Sequence, residues 1–108
     1  MQLSNLLRPE KVKNYQKTVL KENAFKYYDN ALKAQIYDLG RTKGLTLPLS
    51  EAGIDGYYSG EELLRKALES GIDLKDIATD VFEQLIKMGW SNATAHADKD
   101  QMTINLEA

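Results

Sequence analysis

Histidine, cysteine and serine supply most nucleophiles and general bases, and this chain is poor in usable ones. Its 108 residues include one histidine, His96, and no cysteine. Without cysteine there is no disulfide framework, thiolate metal site, iron–sulfur cluster or cysteine nucleophile. One imidazole is too few for a conventional His-rich zinc site. None of Ser4, Ser50, Ser59, Ser70 and Ser91 stands in a G-x-S-x-G elbow. Neither G-x-G-x-x-G nor G-x-x-x-x-G-K-[ST] occurs, so the common phosphate cradles are missing. Carboxylates crowd the C-terminal half, but no pattern sets one carboxyl pKa against another, as acid–base pairing requires. The expectation is no catalytic residue, no metal ligand set and no cofactor.

Two stretches still have the spacing of known sites. Asp55-Gly56-Tyr57-Tyr58-Ser59 running to Glu62 resembles the second half of an EF-hand calcium loop. Asp55 would take position 5, Gly56 the turn at 6, Tyr57 the backbone ligand at 7, and Glu62 the bidentate position 12. Glu51 and Gly53 fall at positions 1 and 3, where Asp or Asn is expected. Two oxygen ligands are thus altered or lost, and no binding at micromolar calcium is expected. Ala67, Gly71, Ile72 and Ile77 fit a helix-turn-helix. Its recognition helix would open with Asp73, Asp76 and Asp80, which repel phosphates, so two ordinary antiparallel helices fit better. Asn92-Ala93-Thr94 spells a glycosylation acceptor without a secretory signal to accompany it.

Binding, rather than catalysis, is where residue types and spacing converge. Lys13, Lys17 and Lys21 recur every four residues, a basic stripe on one helix face. Residues 1–44 carry nine Lys/Arg against four Asp/Glu, net +5; residues 45–108 carry five against twelve, net −7. Such a split offers a face for an acidic protein or nucleic acid. It equally describes two halves that attract one another, within one chain or between subunits. Six tyrosines are many for this length. Tyr27, Tyr37, Tyr57 and Tyr58 fall off the main apolar stripes, and exposed tyrosines make good interface anchors.

The elements that must position these residues are mainly helical. Pro9 suits a first helical turn, and no Gly or Pro follows from Glu10 to Leu39. Val12, Tyr15 and Val19 form one apolar stripe; Phe25, Tyr28, Leu32, Ile36 and Leu39 form another, out of phase with it. Two helices are therefore predicted, 9–21 and 23–39, with a break near Lys21–Asn23 and an end at Gly40 or Gly44. Residues 45–58 read as a connecting loop, in which Leu45, Leu47 and Leu49 alternate and Pro48 confines any strand to an edge. Ser59 and Glu62 suit a capping box for a helix over 60–70 with Leu63, Leu64, Ala67 and Leu68 inward. Asp73 caps a helix over 74–88 in which Leu74, Ile77, Ala78, Val81, Phe82, Leu85 and Ile86 make an unbroken stripe. That helix is expected at the centre of the core. Met102, Ile104 and Leu106 then alternate as a strand, with 92–97 as its hairpin partner.

The predicted fold is one mostly α domain over residues 1–108, a compact four-helix domain with a small C-terminal β-strand or hairpin; α+β is the alternative. It divides into a basic helical half (1–44), a connecting loop (45–58), a helical pair (59–90) and a β tail (91–108). No apolar run reaches a membrane span, and the first seven residues lack the features of a signal peptide. A soluble cytoplasmic protein is expected. Its expected function is non-enzymatic: binding another protein as inhibitor, adaptor or regulator, with self-association. Lys13, Lys17, Lys21 and the four tyrosines are the candidate contact residues. The alternatives are a nucleic-acid-associated regulator using the basic N-terminal helix, and a degenerate EF-hand-like calcium-responsive module.

Overall fold

The computed structural model describes residues 8–54 and 60–108. Pro9 opens the longest element, helix α1 (Pro9–Lys33), with Glu10 in its first turn and Lys33 in its last, both suited to the helix dipole. The helix passes through Lys21–Asn23 without a break, where the sequence pattern predicts two helices. Asn23 inside a helix costs under about 0.7 kcal/mol relative to alanine, a weak reason to interrupt a hydrogen-bond ladder. A π-helical turn, Ala34–Asp38, extends the run, and Gly40 ends it in the left-handed conformation. The described residues hold three α-helices rather than four, the others being α2 (Glu61–Glu69) and α3 (Leu74–Lys87).

Because α1 is continuous, only one of its two stripes can face the core. Ala24, Tyr27, Tyr28, Ala31, Leu32 and Gln35 are buried. Seven residues make nearly two turns, so the same line extends backwards from Ala24, Tyr27 and Tyr28 to Lys17, Leu20 and Lys21. The stripe Val12, Tyr15, Val19 extends forwards to Glu22 and Lys26, both exposed. The phase conflict in the sequence is thus resolved by leaving the first stripe outside the core. Tyr15 is 71% exposed.

Strands β1 (Leu45–Pro48), β2 (Thr94–Ala97) and β3 (Gln101–Asn105) form one antiparallel sheet in the order β1-β3-β2. The 94–97 hairpin partner and the edge position of Pro48 agree with the sequence pattern. Leu45 pairs with Ile104 and Leu47 with Met102, and all four side chains are buried. The outer edge of β1 is closed by a side chain. Gln35 donates from Nε2 to the Thr46 carbonyl (2.9 Å) and accepts the Thr46 amide at Oε1 (2.9 Å). The Tyr28 hydroxyl donates to the Pro48 carbonyl, so α1 holds β1 at two points. Leu49 N donates to the Asp100 carbonyl (2.8 Å), and Ser50 Oγ donates to Asp100 Oδ1 (2.7 Å), tying the end of β1 to the β2–β3 turn. Gly53 lies so close to that turn that a Cβ there would collide with the Asp100 carbonyl oxygen.

Helices α2 and α3 pack principally on α1. In α2, Leu64 and Ala67 are buried, whereas Leu63, expected inside, is exposed. Gly60 is the N-cap residue of α2; Ser59 of the expected capping box lies outside the described residues. Asp73 caps α3 as expected, its Oδ1 accepting the Lys75 amide. Leu74, Ala78 and Val81 are buried, but Ile77, Phe82 and Leu85 are only partly so, and Ile86 lies at the surface. The centre of the core is therefore the second half of α1 against the sheet, and α3 covers a flank. Among the described residues no helix is long and apolar enough to cross a membrane.

Candidate protein-binding surface

The first eleven residues of α1 reach past the body that the second half organises. No residue of this stretch is buried; Val12 and Val19 are half-covered and the residues between them are exposed. The overhang draws the molecule out to 57 × 28 × 24 Å, with a radius of gyration of 15.9 Å, where a compact chain of this length has about 13 Å.

Each side of the overhang has its own character. On the line continuing the core stripe, Lys13 and Lys17 border a groove of about 500 Å³, shared with Leu20 and, at its outer edge, Tyr15 and Val19 of α1, and with Lys66 and Glu69 near the end of α2. Lys17 and Lys21 also form one wall of a cleft of about 690 Å³ whose other wall carries Asp73, Asp76 and Asp80 of α3. The basic stripe is thus turned toward the acidic half of its own chain, rather than away from the body. All three lysines remain exposed, and among the described residues no ion pair joins them to those aspartates. On the outer side lies the apolar line Val12, Tyr15, Val19, which the sequence pattern assigned to the core.

The structure keeps Lys13, Lys17 and Lys21 together and disperses the tyrosines. Tyr27 is 2% exposed, its ring edge-on to Tyr28 at 6.1 Å between centroids. It is a core residue, because the line through Ala24, Tyr28 and Ala31 that faces the body also takes in position 27. Tyr37 is 80% exposed on the π-helical turn, roughly 24 Å along the helix from Lys21 at 1.5 Å per residue. Tyr57, Tyr58 and most of the calcium-loop-like segment lie outside the described residues. Of that loop's first half, Glu51–Gly53 folds as a 3₁₀ turn, and Glu51 pairs with Arg65. His96 is exposed on the edge strand β2.

Sequence reasoning missed Tyr15 as a surface residue. The available signal was the phase conflict itself, since Tyr15 shares its line with Glu22 and Lys26. It also missed Gln35, seven residues after Tyr28 and on the same buried line. Comparison with family models, with curated proteins and with solved structures finds no match to this chain.

Proposed function

We propose that this is a non-enzymatic cytoplasmic protein that acts by binding another protein, as a regulator, adaptor or inhibitor. The projecting half of α1 is its docking element. The observation that carries this reading is the apolar line Val12, Tyr15, Val19, with Tyr15 exposed and both valines only half-covered, on a helix that outruns its own body. A helical stretch of this length is marginal in water without a packed face, and a covering partner supplies that face. The partner's surface is an apolar one, complementary to the valines and the tyrosine. Nucleic acid is the less favoured partner, because Asp73, Asp76 and Asp80 stand across the cleft from Lys17 and Lys21 and oppose phosphate.

The test uses the full chain as bait in an extract of its own host, with mass-spectrometric identification. Wild type is compared with the double variant Tyr15→Glu/Val19→Glu, with and without nuclease. Proteins enriched by wild type, lost with the variant and indifferent to nuclease are the expected result. Identical capture by both baits removes the docking role of α1. Enrichment that vanishes with nuclease transfers the case to nucleic acid.

A further inference from the structure

We infer that the outer face of α1 pairs with the same face of a second copy of this chain, the two helices running antiparallel. The inference rests on the protein-binding reading and names its partner. Val12, Tyr15, Val19 and Glu22 of α1, with Arg8 at its N-cap, are spaced by 4, 3, 4 and 3 residues, the spacing of a coiled-coil seam. The three central residues are apolar, and the two ends carry opposite charges. An antiparallel pair centred on Tyr15 sets Val12 over the second copy's Val19 and Arg8 beside its Glu22, twice by symmetry. A parallel pair would set Arg8 against Arg8 and Glu22 against Glu22. The charge order along the seam therefore selects the antiparallel arrangement.

The rest of the molecule permits this contact. The seam runs along the side of α1 away from Ala24, Tyr28 and Ala31, which face the body. A second helix laid along it stays clear of the sheet and borders α2 and α3 only at its margins, where Tyr15 and Val19 also edge the groove toward the end of α2 and Glu22 edges the cleft toward α3. Lys17 and Lys21 stay over their own chain's acidic wall and Lys13 over the groove toward the end of α2, so the two basic stripes do not confront each other. The seam is about two heptads long, which places the interface at the small end of specific contacts. Association is accordingly weak and concentration-dependent.

Sedimentation equilibrium of the pure full-length protein over a wide concentration series tests the pairing. Mass should rise from one chain toward two. Arg8→Glu and Glu22→Arg should each weaken association by about tenfold, and Arg8→Glu/Glu22→Arg together should restore it. All these positions are exposed, so far-UV circular dichroism should be unchanged by each. Because the chain has no cysteine, Tyr15→Cys supplies a single thiol that a short bis-maleimide should link into dimers, whereas Tyr37→Cys should not link. A wild type that stays monomeric throughout overturns the inference, as does a dimer that the charge swap fails to rescue or that links through Cys at position 37. A monomer that still captures other proteins through Tyr15 and Val19 leaves the protein-binding reading standing and rejects only the self-pairing.

Discussion

Tyr28 shows how much one side chain decides here. Its ring fills the space between α1 and the sheet, and its hydroxyl satisfies the carbonyl of Pro48 at the end of β1. Burial pushes its pKa up, with smaller upward contributions from Tyr27 and Asp73. In the unfolded chain it ionises near 10, the ordinary tyrosine value. The folded state therefore holds a proton that the unfolded state releases, and its contribution is complete below pH 10 and lost as pH rises beyond. Tyr28→Phe leaves the Pro48 carbonyl without its donor, which should cost about 1–3 kcal/mol at neutral pH. The variant should also lose stability less steeply than wild type at alkaline pH. Denaturant melts from pH 8 to 11 compare the slopes, and parallel curves would remove the titration of Tyr28 from the account.

Burial also ranks positions along an element. On α3, burial falls from Leu74 to the partly covered Phe82 and to the exposed Glu83. Leu74→Ala should cost about 2–5 kcal/mol, Phe82→Ala less, and Glu83→Ala under about 0.5 kcal/mol. Equilibrium melts that order Phe82→Ala with Glu83→Ala would show that α3 does not flank the core in this orientation. The β2–β3 turn is held differently, by Asp98 Oδ1 accepting the amides of Gln101 and Asp100. Those bonds hold the exposed Asp98 carboxyl below its usual range. Their contribution is present above that usual range and disappears as pH falls through the lowered value.

For the whole molecule, the consequential feature is that α1 is longer than the body it organises. Its two halves share a hydrogen-bond ladder but not a core. Local opening follows local packing, so in dilute solution amides 12–20 should exchange with solvent faster than amides 24–32. Slowing of the first group at high protein concentration, with the second unchanged, would mark the overhang as the part that becomes covered. Hydrogen exchange followed by NMR reads both, and equal protection of the two groups in dilute solution would contradict the overhang. Salt acts on the same region. Lys17 and Lys21 face Asp73, Asp76 and Asp80 across an open cleft, an attraction that ionic strength screens over about 10 Å.

Much of this architecture is local and so can be read from residue order. Pro9 starts α1, Asp73 starts α3, Gly40 ends the long helical run, and the alternation of Met102, Ile104 and Leu106 marks a strand. Pro48 confines β1 to an edge because it has no amide to give to an outer neighbour. Each of these depends on a few neighbouring residues and on backbone sterics. What the sequence alone did not determine is which stripe of α1 meets the core. A stripe facing protein and a stripe facing water have the same 3.6-residue period, and the choice rests on where the body lies. The body lies where the α1 line through Tyr28 and Gln35 meets β1, whose own partner β3 is more than fifty residues further along the chain. That long-range pairing buries Tyr27, leaves Tyr15 in solvent and turns Lys17 and Lys21 toward their own chain's aspartates. Only the tertiary structure brings together the residues that make those choices.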